Sequence, residues 1–135
     1  MIIGEYMDAL PPALRQGVEE FNRAYFFEAH ETLEDLWRET HGPLRTFYQG
    51  LIQLAVAFYH LTNGNRRGAQ NLLAKGLAKL ENFLPSCQGI DVATLYQHTQ
   101  PWLQHLKAAD PQEALAVDLR QLPKIHWVAS DGTST

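Results

Sequence analysis

A histidine and a glutamate stand four residues apart, as His30 and Glu34, in the segment F-F-E-A-H-E-T-L-E-D-L-W. Residues at this spacing share one face of a helix, so the imidazole and the carboxylate can bind each other or a common ligand. At about 100° per residue, both fall within the apolar arc that Phe26, Leu33 and Trp37 form. The pattern therefore predicts an ionisable pair where the core is expected.

The segment that follows the turn at residues 41–43 carries a second polar stripe. On a helix, three side chains of this segment fall within about 40° of each other: Gln49, Gln53 and His60. If the two helices form an antiparallel hairpin about the turn, Glu34 lies opposite Gln49 and His30 opposite Gln53. The two polar stripes are then predicted to face each other, with His60 one to two turns further on.

Three sequence motifs resemble the domain-of-unknown-function 309 family of small bacterial helical proteins: F-F-E-A-H-E-x-L-E-x-x-W, G-L-I-Q-x-A-V-A-F-Y-H and G-N-x-x-G-A. The resemblance covers residues 21–80. It implies a compact all-α fold and supplies no reaction. Ala24 stands where the family pattern has a glycine, and Tyr25 where the pattern has an acidic or small polar residue.

Hydrophobic periodicity and stop signals predict a single domain of about five helices over residues 1–128. The first four helices are expected at about 12–22, 26–40, 44–63 and 66–84, and the fifth after Asp91, with a break or kink at Pro101. The third helix has no charged side chain between Arg45 and Arg66, which indicates a central helix buried on most sides. An extended cover is predicted at 122–128, and a disordered tail at 129–135.

Composition excludes several classes of function. The net charge of −4 among 135 residues argues against nucleic-acid binding, which requires a basic face. The single cysteine, Cys87, excludes an intramolecular disulfide and a cysteine-based zinc site. Polar side chains interrupt the third helix, which argues against a membrane span. The first residues lack a basic region followed by an apolar run, so a cytoplasmic location is expected.

Two interpretations of the polar cluster follow directly from these residues. In the first, the cluster is a satisfied structural network in the core, because buried polar groups are costly unless they are bonded. In the second, it is a pocket for a small polar ligand, in which His30 is a base oriented by Glu34. The candidate ligand-binding residues are His30, Glu31, Glu34, Trp37, Gln49, Gln53 and His60.

Two further interpretations remain open. A divalent metal site would use His30 and Glu34 as ligands, joined by Glu31 and His60, and would carry a hydrolase activity with it. The second histidine of the H-E-x-x-H motif is absent, however. Alternatively, the domain is a helical interaction module that pairs with another copy or with a partner. The sequence names no reaction class, so it does not decide whether the protein is an enzyme.

Overall fold

The computed structural model describes residues 9–110, 112–113 and 115–128. Five α-helices have their bounds within these residues: α1 Pro12–Asn22, α2 Phe26–Glu39, α3 Pro43–Thr62, α4 Arg66–Leu80 and α5 Val92–Ala108. Strands β1 (Ser86–Cys87) and β2 (Ile90–Asp91) form an antiparallel pair, and 3₁₀ turns cover Glu81–Phe83 and Leu119–Gln121. The predicted all-α bundle is confirmed.

The helices begin where the local sequence favours a first turn. Pro12 and Pro43 occupy first-turn positions, where the missing backbone N–H leaves no hydrogen bond unmade. The Asn65 side chain accepts a hydrogen bond from the backbone N–H of Gly68, and Asp91 accepts one from Thr94. Proline and N-cap signals therefore set the starts of four helices close to the predicted positions.

Two helices end in the same left-handed cap. After α1, Tyr25 N donates to Glu20 O and Ala24 N donates to Phe21 O, with Ala24 at a φ of 62°. After α3, the equivalent bonds come from the two residues beyond the helix, with Gly64 at a φ of 81°. Both are Schellman motifs, which place the next helix directly alongside the previous one.

Helix α3 lies at the centre of the fold, between α2 and α4. Most of its length is buried, through Phe47, Tyr48, Gly50, Leu51, Leu54, Ala55, Ala57, Phe58 and Leu61. The prediction of a central helix that is buried on most sides is confirmed. One stripe of α3, from Gln49 through Ile52, Gln53 and Val56 to His60, is only half-buried.

The contact between α3 and α4 is close because glycines form it. A Cβ atom added at Gly76 would lie 2.8 Å from Leu54 Cδ2 and 3.1 Å from the backbone oxygen of Gly50. A Cβ atom added at Gly50 would lie 3.2 Å from Lys79 Cβ. The two backbones therefore approach each other more closely than any larger residue would permit.

The sequence did not predict the β-hairpin. Its two-residue turn is formed by Gln88 and Gly89, with φ values of 52° and 75°, as a type I′ turn requires. The segment 122–128 is extended, as predicted, and extends the hairpin: Trp127 pairs with Ile90. Asn22 fixes the same segment to α1, since its side chain exchanges two hydrogen bonds with the backbone of Ile125.

Two helix ends differ from the prediction. Helix α5 continues through Pro101, so the predicted break is wrong and a kink stays a prediction; buried residues on both sides of the proline, including Leu95 and Leu103, anchor the helix to the core. Helix α4 ends at Leu80 and not near residue 84, since the chain tightens into a 3₁₀ turn. The predicted tail at 129–135 lies outside the described residues.

Among the residues that the structure describes, no helix is both long enough and apolar enough to cross a membrane.

Candidate functional site

The His30–Glu34 pair lies at the edge of the buried face of α2. His30 Nε2 is 3.0 Å from Glu34 Oε2, and the two side chains are 27% and 32% exposed. The buried residues of α2 are Phe26, Ala29, Leu33 and Leu36. Ala29 and Leu36, and not the bulkier Trp37, complete this face, so the pair is turned toward its flank. The predicted burial of the pair in the core is therefore wrong.

Glu34 has a second partner, the guanidinium of Arg38. Arg38 Nη2 lies 2.6 Å from Glu34 Oε1, and Arg38 Nη1 lies 2.9 Å from Asp35 Oδ1. Both carboxylate oxygens of Glu34 thus have a bonded partner on the same helix. These are surface pairs at helical spacing, each of which contributes about 0.3–0.5 kcal/mol to stability.

A first cavity opens between α2 and the middle of α3. It has a volume of about 240 Å³ and is lined by Glu34, Trp37, Gln49, Ile52 and Gln53. The predicted facing of Glu34 and Gln49 agrees with this lining. Among the described residues, however, neither glutamine side chain hydrogen-bonds to His30 or Glu34. The satisfied network predicted for the core is therefore not formed.

A second, smaller cavity follows one to two turns along the same pair of helices. Its volume is about 130 Å³, and it is lined by Phe26, Phe27, His30, Val56, Tyr59 and His60. His60 thus lines the same cavity as His30. The predicted facing of His30 and Gln53 stays a prediction. The Phe27 and Tyr59 rings are tilted at 51° to each other, with 5.6 Å between their centroids. We call the two cavities together the α2–α3 cleft.

Three polar atoms in the α2–α3 cleft are buried and have no hydrogen-bond partner among the described residues. They are His30 Nδ1, Trp37 Nε1 and Gln53 Oε1. An unpaired buried polar atom costs about 1–3 kcal/mol of stability. The indole N–H can only donate, whereas the amide and the imidazole nitrogen can present a donor or an acceptor. Together they can bind a ligand that carries both kinds of group.

Arg45 contacts Trp37, one of the residues that line the larger cavity. Its guanidinium carbon is 3.7 Å from the centroid of the Trp37 ring, which is a cation–π contact. The sequence interpretation did not include Arg45 in the site, although it precedes Gln49 by four residues and continues the Gln49–Gln53 stripe. It also assigned Tyr59 to the core, whereas Tyr59 is 38% exposed and lines the smaller cavity.

Glu31 does not join the α2–α3 cleft, because its side chain is exposed and lines neither cavity. In the described part of the chain, no three His, Cys, Asp or Glu residues lie together as a metal site would require. The predicted metal site lacks its third ligand, since only His30 and Glu34 meet. A two-ligand site falls short of the three protein ligands typical of catalytic zinc.

Two other features of the chain are less suited to ligand binding. The recess at the start of α4, about 610 Å³, is lined by Arg66, but the Arg66 guanidinium donates to the backbone oxygens of Asp110 and Glu113. Burial raises the pKa of the Cys87 thiol, which lowers its thiolate fraction and its reactivity at neutral pH. Burial, and then the charge of Cys87, raises the pKa of Tyr48.

The segment that builds the α2–α3 cleft matches a known family. Residues 14–72 fit the model of a domain of unknown function, DUF309. This segment is similar to the DUF309 family. The matched segment runs from α1 into α4 and contains every residue that lines the cleft. The resemblance noted from the sequence motifs is therefore confirmed.

Two curated relatives of this protein are uncharacterized. It is 30% identical over 98 residues to the uncharacterized protein YpuF of Bacillus subtilis (strain 168), and 25% identical over 101 residues to an uncharacterized protein of Aquifex aeolicus (strain VF5). The matches cover 70% and 74% of this chain but only 56% and 30% of the relatives. The chain thus spans about half of the first relative and less than a third of the second.

Proposed function

We propose that this protein is a binding protein whose α2–α3 cleft takes a small polar ligand. The observation that carries the proposal is the set of three unpaired buried polar atoms, His30 Nδ1, Trp37 Nε1 and Gln53 Oε1. The residues that carry these atoms lie on two neighbouring helices, and each of them lines one of the two cavities. A small number of placed polar groups among apolar walls is the usual composition of a ligand pocket.

Energetics favours binding over a structural role. A structural network stabilises the fold, because every donor and acceptor that it buries forms a hydrogen bond. Here Gln53 Oε1 and Trp37 Nε1 are buried without forming such a hydrogen bond to a described residue. Binding sites commonly carry such a cost, since groups placed for a ligand are suboptimal for the fold alone. A ligand that bonds these atoms would recover the lost hydrogen bonds.

The His30–Glu34 pair gives the cleft a defined orientation. The bond to Glu34 fixes His30 Nε2, so Nδ1 is the ring nitrogen left for a ligand. Arg38 holds the other oxygen of Glu34, which keeps the carboxylate in place. The pair therefore positions one hydrogen-bonding atom at the boundary between the two cavities.

Binding can be tested by NMR at the Trp37 side chain. The three tryptophans give three indole N–H signals, and Trp37→Phe identifies the signal of Trp37. We expect members of a fragment library of small amides, acids and alcohols to shift this signal and to leave the Trp102 signal unchanged. Gln53→Leu should lower the affinity for the same fragments about tenfold, as expected for the loss of a hydrogen bond worth about 1.4 kcal/mol.

The matched control is Gln97→Leu, which changes the same residue type at an exposed position of α5. This variant should bind the fragments like the parent protein. The proposal would be wrong if no fragment shifted the Trp37 signal. It would also be wrong if the fragments bound Gln53→Leu and the parent protein equally well.

Self-association is a second candidate function. It is favoured by exposed aromatic side chains at the edge of the cleft, namely Tyr25, Phe27 and Tyr59 at 52%, 44% and 38% exposure. Light scattering at several protein concentrations tests self-association. A dimer that forms through these rings dissociates on dilution and is weakened by Phe27→Ser. The homo-oligomer and the cytoplasmic location both stay predictions.

A further inference from the structure

The two cavities of the α2–α3 cleft differ in chemistry. The smaller one is enclosed mainly by apolar and aromatic side chains, including Phe26, Phe27, Val56 and Tyr59. Its volume of about 130 Å³ is close to the roughly 150 Å³ of a protein cavity that holds benzene. One aromatic ring therefore fits this end, against the Phe27 and Tyr59 rings, which are tilted at 51° to each other.

The larger cavity offers more donors than acceptors. Trp37 Nε1 is a buried donor without a partner, and the Arg45 guanidinium lies over the same indole ring. In the part of the chain that the structure describes, the Arg45 side chain forms no hydrogen bond or ion pair. Both oxygens of Glu34, the only acid lining this cavity, are already bonded to His30 and Arg38. The free hydrogen-bonding capacity at this end therefore suits an anionic acceptor.

A carboxylate is the acceptor that these donors fit best. Guanidinium presents its N–H groups in a planar fork that matches a carboxylate, and charge-assisted hydrogen bonds are roughly twice as strong as neutral ones. The indole N–H can supply another donor to the same group, because Arg45 covers the Trp37 ring at 3.7 Å. The Gln53 amide can turn its NH₂ group toward the carboxylate.

The two ends are separated by a definite distance. His30 and Trp37, which line different cavities on α2, are seven residues apart, as are Gln49 and Val56 on α3. Seven residues of helix span about 10 Å. A single ligand that fills both cavities thus has its charged group about 10 Å from its apolar group.

We propose that the ligand of the α2–α3 cleft is an aryl carboxylic acid, with the ring in the smaller cavity and the carboxylate at Trp37 and Arg45. This assignment rests on the proposed binding function and adds the class of ligand to it. Arg45 is then the residue that determines specificity for an acid over a neutral molecule.

The test compares 6-phenylhexanoate with its neutral amide, 6-phenylhexanamide, by NMR titration of the Trp37 indole signal at neutral pH. The acid should bind at least ten times more tightly than the amide. The shorter 3-phenylpropionate should bind more weakly than 6-phenylhexanoate, because it cannot fill both ends. Arg45→Gln should reduce the preference for acid over amide to less than twofold, with the fold confirmed by circular dichroism.

Arg67→Gln is the control, since Arg67 is an exposed arginine at the start of α4, away from the α2–α3 cleft. It should keep the full preference for the acid. Equal binding of acid and amide, weakened in Gln53→Leu, would overturn the carboxylate assignment and leave the binding function standing. The carboxylate assignment would also be overturned if neither 6-phenylhexanoate nor 6-phenylhexanamide shifted the Trp37 signal while other fragments did. If no compound shifts that signal, both proposals fail.

Discussion

Helix α3 contacts a different kind of surface on each side. Toward α4 the contact is made by glycines, and Gly76 lies against Leu54 and the backbone of Gly50. Toward α2 it is made by large rings: Phe26 and Phe58 lie 5.6 Å apart, and so do Phe27 and Tyr59. Large side chains hold helices further apart than small ones do. The α4 side is therefore closed, and the α2 side keeps an open cleft.

The caps that precede the two flanking helices differ in the same way. The Schellman motif before α4 has Gly64 in its left-handed position, whereas the one before α2 has Ala24. Glycine adopts this conformation without strain, and alanine does so at a cost. On both counts the α4 side is better optimised for stability. The comparison suggests that the α2 side is constrained by something other than the fold, which we propose is the ligand.

The largest expected effect is on the closed side. Gly76→Val should lower the free energy of unfolding by about 3 kcal/mol, because the new side chain meets a backbone oxygen that cannot move aside. Urea denaturation measures the change. Ala78→Val, at an exposed position of the same helix, should cost only about 0.5 kcal/mol. Equal losses of stability in the two variants would contradict the close packing described for the α4 side.

Exchanging the cap residues should shift stability in opposite directions. Gly64→Ala should destabilise the protein by about 1 kcal/mol, since alanine is strained at this φ although no atom lies within 4 Å of its Cβ. Ala24→Gly should stabilise it by about 0.5 kcal/mol, because the relief of strain exceeds the loss of a half-buried methyl group. Thermal melting of the two variants tests both signs. A stabilised Gly64→Ala would contradict this account.

Glu34→Ala tests the pair on the open side. We expect the free energy of unfolding to fall by about 0.5–1 kcal/mol, because Glu34 is about one-third exposed and its partners can turn to water. Chemical denaturation in low salt measures the loss, which should shrink in high salt. A loss of about 3 kcal/mol or more would show that the pair is buried and structural.

The sequence predicted the frame of the fold well because its signals are local. Helix starts at Pro12, Pro43, Asn65 and Asp91 depend on residues within one turn of each other. The hairpin at Gln88–Gly89 was missed because its strands are only two residues long, too short to show an alternating pattern.

The candidate site stays a prediction, but the burial that the sequence predicted for its His30–Glu34 pair is wrong. The helical wheel identified His30 and Glu34, yet the position of the buried face depends on which neighbour packs against it. The small Ala29 faces the core, and the aromatic Phe27 is 44% exposed. Hydrophobicity alone would assign these two positions in the opposite order. Arg45 was missed because its role comes from a tertiary contact with Trp37.

The free energy of unfolding of Gln53→Leu tests the central claim most directly. If the polar groups of the α2–α3 cleft serve a ligand, an apolar side chain of similar size removes an unpaired buried oxygen, and stability should be unchanged or rise by up to about 1 kcal/mol. Gln97→Leu, at its exposed position, should leave the free energy of unfolding unchanged. A loss of about 2 kcal/mol or more in Gln53→Leu would show that Gln53 belongs to a structural network, and would contradict the account.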